Sequence, residues 1–329
     1  MLVAGYCFRD EEMRRSVSMN TVGKGTCEVS GRVEDLIELE FFYDFFDEAL
    51  NLFALDPNGL PLLEIIQEEW HLFTSDQYGE TILNRVCEDL DTPLSAFSNV
   101  SYTDDIMRRL SAWDSLKTSV LKDRRFFSGH KNLDEYSYLI PEATLKKKTV
   151  LFRARILPKD VARLKRSEMG CPPPHLSTPG RANPRGIPYL YLCSDEETTY
   201  SEVRAVQLDK LCIGRFLIKK DLAIVDFNAE VSLYLAYDMG NDLAIVVAGK
   251  KIINAIQKDM SRPMRRYDSE LDYIPTQMIC EYCKVKGADG ICFESTLHKG
   301  GKNYVLFDSD SAKCTKLYYR EVQEIVIKI

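Results

Sequence analysis

The segment Gly180-Arg-Ala-Asn-Pro-Arg-Gly-Ile-Pro-Tyr-Leu-Tyr-Leu-Cys-Ser-Asp-Glu-Glu-Thr-Thr-Tyr-Ser-Glu-Val-Arg204 decides how the rest of the chain is read. Pro184, Gly186 and Pro188 punctuate an opening loop. Ile187 to Cys193 is short, apolar and β-prone, which marks a strand. Ser194 follows, with Glu197 three residues on. That capping-box pair predicts a helix starting there and carrying Glu202 about two turns in. Loop, strand, cap and helix form one supersecondary unit that brings Arg181, Tyr191 and Glu202 toward one place. A cation, an aromatic ring and a carboxylate suit an anionic ligand that has a ring and a bond to be broken.

Outward from this segment the texture is mixed. Thr149 to Ile156 reads as a strand with Arg153 and Arg155 on one face, by the two-residue period. Two arginines in an apolar strand are costly unless each meets an anion. Leu157 to Gly180 reads as a long loop of lid or flap type. Beyond Arg204, strands are expected over Cys212 to Ile218 and Leu222 to Phe227, and helices over Val231 to Tyr237, Leu243 to Ile256 and Tyr273 to Lys286. Gly290 to Glu294 and Asn303 to Phe307 read as strands joined by Ser295 to Gly301. Two closing strands are expected around Cys314 to Tyr319 and Val322 to Ile327. The predicted class is therefore α+β, with a mixed α/β domain over residues 148–329.

Upstream, the Lys146-Lys-Lys148 run marks a junction and a solvated turn. Val33 to Phe53, Leu60 to Phe73, Tyr78 to Leu90 and Thr103 to Leu121 have helical apolar spacing, with Pro57-Asn-Gly59 as a break. No strand is expected before residue 148, so residues 32–147 read as an all-α domain behind an irregular or loosely helical lead-in over residues 1–31. Cys7 and Cys27 in that lead-in are two ligands short of a zinc knuckle, because Ala4 and Ser30 stand where further cysteines could have completed it. Arg125 and His130 have the Arg-x4-His spacing of helical ribonucleases, a short pattern that also fits a domain-boundary segment.

The net charge of −7 argues against general nucleic-acid binding. No apolar run approaches a membrane span, and the N-terminus turns acidic too early for a signal peptide, so a cytoplasmic protein is expected. The ten cysteines are then read as reduced thiols. Cys280-x-x-Cys283 lies in a predicted helix without a second ligand pair, so no metal site is expected.

The blocks LFRAR, GRANPRGIPYLYL, ETTYSEVR, LDYIPTQMICEY, GADGICFES and GGKNYVLFD occur in the order seen in RES domains. The chain resembles that family over residues 148 to 308 at least. RES domains are named for an arginine, a glutamate and a serine. They occur as toxins of RES–Xre toxin–antitoxin pairs and have a fold similar to ADP-ribosyltransferases. The N-terminal half resembles, less strongly, the helical HEPN-like region ahead of some RES domains.

The resemblance implies Arg153 as the family arginine, Glu202 as the glutamate and Ser295 as the serine, with Arg181 and Tyr191 as further cleft residues. It implies NAD as a substrate and no permanently bound cofactor. Arg153 and Arg181 would clamp the pyrophosphate and Tyr191 would meet the nicotinamide or its ribose. Glu202 would stabilise the oxocarbenium ion formed as the nicotinamide–ribose bond breaks, Ser295 would orient Glu202 or the nicotinamide amide, and Asn303 would support loop or ligand. An NAD-degrading toxin using water or phosphate is the expected activity. Transfer of ADP-ribose to a protein is the alternative, followed by a helical-domain ribonuclease or an inactive interaction module. An Xre-like antitoxin is the partner implied, and assembly into a homo-oligomer is left open. No GxGxxG supports hydride transfer.

Overall fold

The computed structural model describes residues 1–126, 134, 140–262 and 269–324. These divide into two compact units: Met1–Ala112 with Glu230–Lys251, and Trp113–Ala229 with Ile252–Ile329. Two of the three boundaries fall inside the helices Asp104–Lys122 and Leu243–Ser261 and the third lies between Ala229 and Glu230, all away from the lysine run. That run is a turn, in which Lys148 has φ +69° and donates its N–H to the Ile218 carbonyl.

The first unit corrects the all-helical expectation. β1 (Leu2–Ala4), β2 (Gly23–Thr26) and β3 (Val33–Glu38) form an antiparallel sheet in the order β1-β3-β2. A helix, Glu11–Met19, lies between β1 and β2 and is capped by the Asp10 carboxylate, so the lead-in is structured too. Val33 to Phe53 is a strand, a turn of 3₁₀ helix and then the helix Tyr43–Leu50. A short strand running into a helix cannot be told from a longer helix by apolar spacing alone.

β4 (Phe53–Pro61) pairs with β5 (Asn99–Tyr102) and absorbs Pro57-Asn-Gly59 within its length. The register shifts between Leu55 and Leu60, and a Cβ on Gly59 would collide with the Val100 carbonyl. Here a turn-like tripeptide marks a bulge instead of a helix break. Phe8, Phe42, Phe45, Phe46 and Phe73 fill the core of this unit.

The second unit is built on eight strands in the order β13-β9-β7-β8-β12-β11-β10-β6. They are β6 (Glu142–Leu145), β7 (Val150–Ile156), β8 (Leu190–Cys193), β9 (Lys210–Ile218), β10 (Leu222–Asp226), β11 (Gly290–Glu294), β12 (Lys302–Leu306) and β13 (Ala312–Glu321). All neighbours are antiparallel except β10 and β11. A parallel pair needs a long crossover, and the chain between these strands is where its later helices lie. The class is α+β. Leu190, Leu192, Phe216, Ile224 and Leu306 are buried in one apolar cluster. β6 was not expected, and a single strand, β13, closes the sheet over residues 312–321. Residues 322–324 are not strand, and 325–329 lie outside the described residues.

Candidate active site

β7 brings Arg153 and Arg155 into the sheet, and they do different things. Arg155 donates from Nη2 to the Gly170 carbonyl at 2.8 Å, tying down the long loop before Gly180. Arg153 lines the cleft, and its Nη1 is buried with no hydrogen-bond partner among the described residues. Burial first, and then the Arg155 charge, pull its pKa down to about 10, so it remains protonated at neutral pH. The Cys171 thiol and Tyr191 stand close to it.

The loop ahead of β8 is held from below by Tyr191. Its hydroxyl donates to Asn183 Oδ1 at 2.7 Å and accepts from the Ala182 N–H at 3.2 Å. A Cβ on Gly180 would come within 2.7 Å of that hydroxyl, so the close approach requires glycine there. Burial raises the Tyr191 pKa above the ordinary tyrosine range, leaving a neutral hydroxyl committed to the loop. The loop presents Arg181, whose Nη1 donates to the Asp259 carbonyl at 3.0 Å and whose guanidinium lies 5.1 Å from the Tyr273 ring centre. Asp259 is itself fixed, accepting at Oδ2 from Trp113 Nε1 at 2.9 Å and Lys117 Nζ at 3.0 Å.

The helix after β8 is Glu196–Glu202, and its cap is Asp195 where Ser194 was expected. The backbone of Ser194 still belongs to the sheet, donating to the Lys302 carbonyl, while its hydroxyl donates to Asp195 Oδ2 at 2.6 Å. Asp195 accepts from the Thr198 N–H at 2.7 Å. Burial would raise its pKa, but the bonds from Ser194 and Thr198 and the nearby His298 outweigh that and lower it.

Glu202 ends this helix. Ser295 Oγ and Asn303 Nδ2 both donate to its Oε1 at 2.7 Å, and among the described residues nothing bonds Oε2. Asn303 lies on β12, directly between Cys193 of β8 and Phe293 of β11. Its Oδ1 accepts from the Cys193 thiol at 3.4 Å. Ser295 and Asn303 are 6% and 9% exposed, so two buried donors hold an exposed carboxylate.

Arg153, Arg181, Tyr191, Glu202 and Asn303 thus line one cleft of about 540 Å³. Ser295 is not on its wall and is joined to it by the hydrogen bond to Glu202. Sequence reasoning missed Cys193, whose strand-end position opposite Asn303 was the available signal. Arg204 adopts a left-handed φ of +51° just past the helix and joins Arg262 in the cleft wall. A cleft wall that carries several arginines and a carboxylate suits an anion whose reaction develops positive charge.

The RES domain matches residues 151–324, more than half of the chain. This chain belongs to the RES domain family. No curated protein matches it. Among solved structures it is similar to a chain of the crystal structure of the M. tuberculosis MbcT–MbcA toxin–antitoxin complex, at 12% identity over 67% of this chain and 93% of that chain, with a TM-score of 0.34. The RES domain match spans every cleft residue named above. Upstream of that match, His130 of the Arg-x4-His pattern lies outside the described residues. Cys280 and Cys283 are buried in the helix Ile274–Val285, and burial raises both thiol pKa values. Among the described residues no group of three or more His, Cys, Asp or Glu could hold a metal ion. None of their helices is long and apolar enough to cross a membrane.

Proposed function

We propose that this RES domain protein is a toxin-like enzyme that binds NAD in the cleft and breaks its nicotinamide–ribose bond. The observation that carries the reading is the state of Glu202, one oxygen pinned by two buried donors and the other left for a ligand. Arg153, with a buried unpartnered Nη1, and Arg181 supply guanidinium groups for the pyrophosphate. As the bond breaks, nicotinamide leaves with the bonding pair and positive charge grows on the ribose C1 and ring oxygen. Glu202 Oε2 accepts a ribose hydroxyl and stabilises that charge, while Oε1 stays fixed. Water then adds at C1 and loses a proton, giving ADP-ribose; phosphate in its place gives the phosphorylated product. Tyr191 contributes by holding the Gly180–Asn183 loop in position, since its hydroxyl is already bonded there.

The same cation can be captured by a protein side chain. The exposure of Glu202 favours that second reading, because it leaves room for a large acceptor. An Xre-like antitoxin that covers the cleft is the restraint we assign to such an activity. The test is nicotinamide release from NAD by the purified protein beside Arg153→Ala and Glu202→Ala. Release by the wild type and loss in both variants is expected. NAD that is neither bound nor consumed by the wild type would overturn the reading. Label from NAD fixed on protein would select transfer over hydrolysis.

A further inference from the structure

Among the described residues one pair of cysteines brings its sulfurs together. Cys7 Sγ and Cys27 Sγ are 3.6 Å apart, and both residues are 0% exposed. Cys7 ends the 3₁₀ turn Gly5–Cys7 that follows β1. Cys27 opens the turn between β2 and β3, where its N–H donates to the Arg32 carbonyl and its own carbonyl accepts from Gly31. The Ser30 N–H donates to Cys27 Sγ at 3.4 Å, so this sulfur sits where a backbone donor favours the thiolate.

Ala4 and Ser30 each stand three residues from one of these cysteines, so the pair lacks the further thiolates a structural metal would need. The two sulfurs therefore face each other alone. Their proton affinities also diverge. Burial and then the Cys27 charge push Cys7 up to about 12. At Cys27 the upward push of burial is outweighed by bonds from Ser30, Val29 and Ala4, and its pKa falls.

We propose that Cys7 and Cys27 are a modification site: hydrogen peroxide converts them to a reversible disulfide, with Cys27 as the attacking sulfur. In the first step the Cys27 thiolate attacks one peroxide oxygen, the O–O bond breaks, and Cys27 becomes a sulfenic acid as hydroxide leaves. In the second, the Cys7 sulfur attacks Cys27 Sγ, displacing that oxygen, which leaves as water with the Cys7 proton. Two thiols and one peroxide thus give one disulfide and two waters. The sulfurs close from 3.6 Å to bonding distance, a movement of roughly 1.5 Å within reach of side-chain rotation. Thr26 and Glu28 beside Cys27 are exposed, so a brief opening of this turn admits a small neutral oxidant more readily than a bulky disulfide such as oxidised glutathione. The new bond would enclose the helix Glu11–Met19 and tie the 3₁₀ turn after β1 to the β2–β3 turn.

The test uses the reduced full-length protein treated with graded hydrogen peroxide, quenched, alkylated under denaturing conditions and mapped by mass spectrometry. A Cys7–Cys27 cross-linked peptide is expected, reversed by dithiothreitol, with the other cysteines still alkylated. The oxidised protein should also melt roughly 5 °C higher. Free Cys7 and Cys27 in protein whose other cysteines have oxidised would overturn the proposal, as would pairing of either with a different cysteine. In Cys7→Ser the sulfenic acid cannot be resolved, so dimedone should label Cys27. Label on Cys7 in Cys27→Ser, with none on Cys27 in Cys7→Ser, would overturn the assigned order of attack. The wild-type map stands even if either variant folds poorly.

Discussion

Each unit of the molecule carries a carboxylate inside a polar network, and the two networks are finished differently. In the first unit Glu69 is fully engaged. Lys251 Nζ donates to Oε1 at 2.6 Å, the Tyr102 hydroxyl donates to Oε2 at 2.6 Å, and Trp70 Nε1 donates to that hydroxyl at 3.1 Å. Glu202 in the second unit has both its donors on one oxygen. Among the described residues the buried side-chain atoms without partners, Arg153 Nη1, Arg155 Nε, Ser261 Oγ and Ser311 Oγ, all belong to the second unit. A closed network stabilises its own fold, whereas an open one keeps hydrogen-bonding capacity for something else. On that ground the first carboxylate is structural, and the second is where a ligand is expected.

The sharpest break of this contrast is Glu202→Gln. It keeps the side chain's size but removes the charge, so nicotinamide release should fall by about 100- to 1000-fold. The melting temperature should change by no more than about 2 °C, read by differential scanning fluorimetry. Glu69→Ala should show the reverse pattern. Losing the acceptor of two donors should cost about 2 kcal/mol in urea denaturation, with the turnover of the folded enzyme preserved. Comparable losses of stability in both variants would dissolve the distinction.

Arg153→Ala should weaken NAD binding about tenfold by calorimetry while raising stability slightly or not at all, since a buried guanidinium nitrogen without a partner is removed. The smallest effect is expected at the helix cap. The Asp195 pKa is lowered on folding, so its stabilisation is complete above the usual aspartate range, near pH 4, and fades as pH falls through the lowered value. Asp195→Asn should therefore lower stability by a few tenths of a kcal/mol at neutral pH. It should also flatten the acid limb of the stability profile, followed by denaturant midpoints between pH 6 and pH 2.5.

What the chain showed in advance follows the same division. In the second unit the strands carry long apolar runs bounded by turns. β7, β9, β10, β11 and β12 accordingly fall within about two residues of the segments read from sequence. β6 escaped because Glu142–Leu145 is short and mixed, and pairs only at the edge of the sheet. In the first unit, β1 to β5 are short or joined directly to helices, and their apolar residues blend into a helical period. Ser194 lost the cap to Asp195 for a reason local spacing could not reveal, since its backbone is held by a strand more than a hundred residues later. The engagement of Tyr191 with Asn183 was invisible for a similar reason: both residues were read, but only the folded loop turns one onto the other.

The two donors to Glu202 are 93 and 101 residues further along the chain. During synthesis the helix bearing this carboxylate emerges long before Ser295 and Asn303. The intervening stretch, Glu230–Lys251, also completes the other unit. A contact of such long sequence separation forms late in folding. A nascent chain that has not yet reached Ser295 therefore holds a loose carboxylate without its two donors, and the machinery proposed for attacking NAD comes together only after Asn303 has been made.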